Sequence, residues 1–482
     1  MTADASSPWG YQWRSSQSFI IATATISLFS ECFLFGFVVP ILPYMLEQRL
    51  HLDPSRTQTS TTALLTTYGL ISLISAPFIA HFADKTPSRK IPLLLSLAAC
   101  ATGTILVACS RAIWILTAGQ IMQSISSASV WIVGMATLVD NVDGENKGKV
   151  VGTAMSVVAT GVVAGPMVSG ILLEVLGYWP AWSGALLLLA IDFFARLVMI
   201  DNHVSNRTKS DTGVEANEQT RLLSEPNNTD TPPAPEPETA DKCQDRVPAR
   251  GFYTIMLSNP KILASLLNTL CLSMILASFD TTLPLHVRAV FGWGSLPTGI
   301  IFLGLQVPSI VFGSLIGWLR DRVGLRWPST IGWGLMAPLL WLLGVPGADM
   351  PWGRLERGGE AVYILAISGL GFAFAFTRGA GSFQMMAVVH DLERQNPNIF
   401  GPYGGNSRLS GLTEVPFNIG MMLGPLVSGT ISEIVGYYWT NTALAGISCF
   451  VALSSWVYLT AAPQPQPQKV NEREEEGESR CC

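Results

Sequence analysis

The chain has 482 residues, of which 49% are hydrophobic and only 13% charged, with a formal net charge of −5. Soluble domains carry roughly 25% charged residues, so an ordinary soluble body is excluded. Much of the charge is gathered in residues 201–250 and 463–482, which leaves long apolar stretches elsewhere.

A spanning helix needs about 20 mostly apolar residues. Twelve such stretches begin near Phe19, Thr62, Ile91, Ile113, Val150, Trp182, Ile262, Pro297, Pro328, Val362, Pro416 and Trp439. Lipid cannot satisfy backbone polar groups, so each is predicted as a helix. The predicted fold is all-α: a polytopic membrane protein with twelve transmembrane helices in two pseudo-symmetric six-helix bundles. Residues 1–200 form the first bundle, 201–257 a flexible linker, 258–462 the second bundle and 463–482 a polar tail.

The first span carries Glu31, followed by Pro40 and Pro43. An ionised carboxylate at bilayer depth costs about 2.5–3.5 kcal/mol even on the lenient insertion scale, so Glu31 is a candidate functional group. The prolines free backbone carbonyls and suggest either a discontinuous helix at a site or a simple helix end. The loop after the second span, AHFADKTPSRK, brings Asp84 and Lys85 together and ends in Arg89 and Lys90. The fourth span carries GQIMQS, with Gln120 and Gln123.

The fifth span, GVVAGPMVSGILLEVLGY, contains Gly161, Gly165, Pro166, Gly170, Glu174 and Gly177. The linker after the sixth span includes EPNNTDTPPAPEPETADK, a composition that cannot bury a core. ANEQTRLLSE within it has the form of an acidic dileucine sorting signal.

The seventh span carries FDTTLPLHV, placing Asp280 before Pro284. The loop after the eighth reads GWLRDRVGLR, with Asp321 and Arg322 as a second copy of the acid-base pair at Asp84. The tenth span holds Arg378, and the eleventh begins near Glu414. These four groups, Glu31, Asp280, Glu414 and Arg378, are candidates for substrate binding and proton coupling. The competing expectation is that the acids pair with Arg378 and serve packing alone. Trp131, Phe279 and Phe383 could line an amphiphilic cavity, since aromatic faces suit organic cations.

The eleventh span reads GMMLGPLVSGTISEIVGY, and its Gly420, Gly424, Pro425, Gly429, Glu433 and Gly436 match the fifth span in register. An isolated GxxxG is common in lipid; a run of matches marks an internal duplication. The loop copies are closer in sequence than the glycine copies, which points to an insertion at residues 344–361.

GWLRDRVGLR resembles the loop signature of the major facilitator superfamily, and GVVAGPMVSG resembles its fifth-span antiporter signature. Within the superfamily the chain is similar to drug:proton antiporters and vesicular amine transporters: SECFLFGFVVPILPYML and FDTTLPLHV resemble the amine group's first and seventh spans. The resemblance implies roles in coupling for Glu31, Asp280 and Glu414. It implies gating roles for Asp84, Arg89, Asp321 and Arg322, and helix-shaping roles for the glycines and prolines. Two positions depart from the pattern. Gln120 stands where antiporters carry a fourth-span arginine, and Arg378 lies where the amine group carries an acid.

No phosphate loop, nucleophile arrangement or metal-ligand spacing occurs, so neither an enzyme nor a cofactor is expected. The expected function is gradient-driven exchange of small organic compounds for protons. A facilitator, a symporter and a transporter-derived sensor are the alternatives. Most of the 29 Lys and Arg fall at the termini and the even-to-odd loops, so both termini are expected in the cytoplasm. The membrane is expected to be the plasma membrane or a vacuolar or vesicular one, and the protein a monomer without nucleic-acid partners.

Overall fold

The computed structural model describes residues 10–85, 90–141, 147–200, 254–347, 359–395 and 406–460. The linker, the tail, Arg89, the dileucine segment and most of the 344–361 loop lie outside the described residues, as does the side chain of Asp84.

Helices account for nearly all of what is described. The first half comprises α1 (Gln17–Tyr44), α2 (Thr57–Lys85), α3 (Lys90–Ala108), α4 (Ile113–Asp140), α5 (Lys147–Val175) and α6 (Tyr178–Val198). The second comprises α7 (Pro260–Phe291), α8 (Ser295–Val323), α9 (Arg326–Gly344), α10a (Gly359–Thr377), α10b (Ala380–Gln395), α11 (Asn406–Val435) and α12 (Tyr437–Tyr458). Ten helical stretches are long and apolar enough to cross a membrane, with α10a and α10b counted as one, and α9 and α11 complete twelve. Large apolar side chains such as Leu95, Leu187 and Ile434 are exposed on many helices. A soluble protein hides that surface; here it faces lipid.

Each half has its own apolar core. Phe37, Leu42, Trp182 and Leu189 belong to the first, and Phe279, Trp333, Tyr363 and Phe374 to the second. The second core also takes in Val39 from α1.

The duplicated glycines explain how the halves are built. A Cβ on Gly161 would lie 2.6 Å from the Phe29 carbonyl oxygen, and one on Gly165 would collide with that of Phe33, so α5 lies backbone to backbone on α1. Gly420 and Gly424 do the same for α11 on α7, where a Cβ would meet Leu270 and Met274 carbonyls. Gly170 then seats α5 on Ser295 of α8, and Gly429 seats α11 on Thr62 of α2. The repeat thus specifies contacts within each half and between them. Gly177 and Gly436, with φ of 90° and 93°, make the tight turns into α6 and α12, a backbone region other residues avoid.

Of the two alternatives for Pro40, Pro43 and Pro284, the discontinuous helix does not occur, and Pro43 stands in the last turn before α1 gives way to a π turn. α1 runs through both prolines into a π turn at Met45–Arg49, and α7 runs through Pro284 to Phe291. The discontinuity falls instead in the tenth span, where Gly379 adopts φ 77° between α10a and α10b.

Candidate functional site

Glu31 sits in the middle of α1 at 5% exposure, in a cleft lined by Leu34, Phe35, Val38, Leu65, Tyr68, Cys100, Gln120 and Gln123. The cleft's volume is about 10 Å³, the scale of a single water. The Tyr68 hydroxyl donates to Glu31 Oε1 at 3.5 Å, and the Cys100 thiol approaches Oε2 at 3.9 Å. The other side chains lining the cleft are all neutral. Gln120 lines this same cleft, and no cation is among the residues that line it.

Asp280 is half-buried on α7 and makes no side-chain hydrogen bond or ion pair to any described residue. Phe279 beside it is fully buried against Phe374, in the core and not in a cavity. Consecutive helical residues diverge by about 100°, so adjacency in sequence does not mean a shared face. Trp131 packs against the small cluster of Leu28, Val130 and Val158, and Phe383 is exposed. Glu414 lies on an exposed part of α11, one turn before Asn418, which accepts a hydrogen bond from Ser72 of α2 at 3.2 Å.

Arg378 occupies the break in the tenth span. Its Nη2 donates to Gln306 Oε1 of α8 at 2.9 Å, and it makes no ion pair among the described residues. The acids therefore do not pair with Arg378 in this conformation. The C-terminal carbonyls of α10a are held by another residue: Arg320 of α8 donates to Ala375 O, Phe376 O and Arg378 O at 3.0, 2.6 and 2.8 Å. Arg320 directly precedes Asp321 and Arg322, which are both exposed. The Arg322 guanidinium lies over the Trp318 ring at 4.3 Å.

Other polar groups escaped sequence reasoning. Asp192 and Arg196, one turn apart on α6, are completely buried and bridged by Ser27 of α1, which donates to Asp192 at 2.7 Å and accepts from Arg196 at 2.9 Å. Their spacing on an apolar helix was the available signal. His286 is not solvated: its ring stacks on Tyr437 at 3.7 Å.

The halves meet at the face opposite the termini. Arg288 of α7 pairs with Glu47 at 2.6 Å, Leu296 N donates to Glu174 at 2.9 Å, and the Thr59 hydroxyl donates to Glu433 at 2.6 Å. Glu174 and Glu433 are equivalent in the repeat, and each accepts from the first turn of a helix in the other half. The last of these contacts on the way toward the termini are at Gly69, where a Cβ would lie 2.7 Å from Met422 N, and at Ser72 with Asn418, among the hydrogen bonds and close approaches of the described residues. Toward the termini Phe78, Phe82, Val311 and Leu315 are exposed, and a Cβ on Gly152, Gly313 or Gly317 meets nothing.

Two pseudo-symmetric bundles with carboxylates and an arginine in their spans, closed against each other at one face, define a secondary transporter. The sequence profile of the Major Facilitator Superfamily matches residues 24–393, and the chain belongs to that family. An uncharacterized MFS-type transporter of Schizosaccharomyces pombe is 29% identical over 91% of this chain and 95% of its own. The human synaptic vesicular amine transporter is 23% identical over 79% of this chain and 63% of its own. The crystal structure of a D-xylose-proton symporter shares the fold with a TM-score of 0.65, at 11% identity, over 92% of this chain and 98% of that one. The protein is therefore a multi-pass membrane transporter of small solutes and not an enzyme.

Proposed function

We propose that the protein is a proton-coupled antiporter that exports or sequesters small amphiphilic, cationic organic compounds by alternating access. The observation that carries this reading is the setting of Glu31: a carboxyl buried in the centre of a span, in a cleft whose other lining side chains are neutral. Such a group holds a proton until a cation arrives to replace it, and releases the cation when reprotonated. Asp280, half-buried and without a partner on the equivalent helix of the second half, supplies a second carboxyl facing the same task.

Alternation requires two discrete packings of the halves. The glutamate latches and glycine seams at the far face suit a conformation open toward the termini. Asp84, Arg89, Asp321 and Arg322 then pair at the opposite face when the molecule reverses. The termini lie in the cytoplasm in this reading, with the protein acting as a monomer in the plasma membrane or a vacuolar or vesicular membrane. Likeness to the synaptic vesicular amine transporter supports an amine, and so a cationic, cargo. A facilitator without proton coupling is the second reading, favoured by Gln120 in place of the usual arginine.

The test uses the purified full chain in sealed proteoliposomes with an imposed pH gradient and a panel of cationic and uncharged fluorescent compounds. Cations should accumulate against the gradient, and Glu31→Gln should abolish accumulation and weaken cation binding in a variant that gel filtration shows to be folded. Accumulation that survives Glu31→Gln, or that is equal for uncharged compounds, refutes the proposal.

A further inference from the structure

Arg378 is an unusual group in this molecule, because everything that ordinarily neutralises a cation in a membrane span has been directed elsewhere. It stands in the helical stretch Gly359–Leu392, well away from either end. A guanidinium there is costly unless it meets a carboxylate, a set of carbonyls or water in a cavity. No carboxylate reaches it among the described residues. The carbonyls at the end of α10a, which favour a nearby cation, are occupied by Arg320. One protein group remains, the side-chain oxygen of Gln306, itself buried and so a fixed anchor that orients the guanidinium without cancelling its charge. The other nitrogens of Arg378 have no hydrogen-bond partner among the described residues and are not sealed in the protein interior, whereas Arg320 buries an unpartnered Nε.

We propose that Arg378 is the binding site for a carboxylate on the transported molecule, so that the cationic cargo also carries an acid and is amphoteric. The inference rests on the transport reading above. The planar fork of the guanidinium matches a carboxylate in two parallel hydrogen bonds, and pairing there supplies the compensation the protein withholds.

The test needs a carboxylate and its ester on one scaffold. Rhodamine 110 carries a free carboxylate, and rhodamine 123 is its methyl ester. Binding of each to the purified full chain is measured by fluorescence anisotropy at neutral pH, with no gradient applied. Wild type should bind rhodamine 110 at least about tenfold more tightly than rhodamine 123, the effect of one charge-assisted pairing. Arg378→Gln should erase the preference while retaining rhodamine 123, Arg378→Lys should keep part of it, and Gln306→Leu should reduce it. Gel filtration establishes that each variant is folded. Absence of a preference in wild type, from equal binding or from none, overturns the proposal, as does a preference that Arg378→Gln leaves unchanged. The readout is independent of proton coupling: a carboxylate preference without pH-driven accumulation would sink the antiport reading alone, and the reverse pattern would sink this one alone.

Discussion

The Thr59 hydroxyl, at the start of α2, donates a 2.6 Å hydrogen bond to Glu433, near the end of α11 in the other half of the molecule. Glu174 repeats the arrangement with Leu296 N. These bonds lie on an exposed face, where each is worth about 1 kcal/mol after screening. Replacing both glutamates by glutamine should shift the access equilibrium toward opening at that face. A cysteine placed at Thr298, in a background lacking native cysteines, should then react with a membrane-impermeant maleimide about fivefold faster. An unchanged rate would mean the glutamates do not hold the closure.

Arg320 should prove a stability determinant of the tenth span. Its three bonds satisfy carbonyls that the break at Gly379 leaves without helical partners. Arg320→Leu should cost about 2–4 kcal/mol, read as a lowered midpoint of thermal unfolding in detergent. The adjacent, exposed Arg322→Leu should cost under about 1 kcal/mol and serves as the control. Equal effects would show that charge at this loop, and not capping, is what matters.

The glycine seams allow a contrast between alanine substitutions. A Cβ at Gly424 would sit 2.5 Å from the Met274 carbonyl, while one at Gly152 meets nothing within 4 Å. Gly424→Ala and Gly165→Ala should each destabilise by about 1–3 kcal/mol as helix backbones are pushed apart. Gly152→Ala should be neutral or stabilising by up to about 1 kcal/mol. Folded yield and thermal midpoint distinguish the outcomes.

The buried trio Ser27, Asp192 and Arg196 should behave as a unit. Arg196→Met leaves Asp192 in an apolar setting without its cation and should cost about 3 kcal/mol. Adding Asp192→Asn to that variant should recover part of the loss, because the uncompensated charge is gone. Additive costs in a double-mutant thermal series would argue that the two residues act separately.

The repeat was readable because close backbone approach tolerates no side chain, so both copies at Gly165 and Gly424 carry glycine whatever surrounds them. Glu31 was readable because a carboxyl inside an apolar run is costly unless it is paired or functional. The break at Arg378–Gly379 was not. Hydropathy joins Gly359–Leu392 into one stretch, and the group that stabilises the break is Arg320, 58 residues from Arg378 in sequence. The prolines at 40, 43 and 284 misled for the converse reason: a lost backbone bond is a local event, and the packing of α1 and α7 carries both helices through it. Asp192 and Arg196 escaped notice because their partner, Ser27, belongs to a different span.

Val39 joins the apolar core of the opposite half, with 2% of its surface exposed. The closure at the far face is thus part hydrophobic and part polar, and the two parts respond differently to heat. Apolar burial weakens on cooling, whereas hydrogen bonds of the kind made by Glu174 and Glu433 do not share that dependence. Cold should loosen the plug at Val39 before it loosens the latches, so the resting balance between the two access states becomes a function of temperature. A Val39→Ala protein would carry less of that dependence and, with a smaller plug to withdraw, would cycle faster at low temperature.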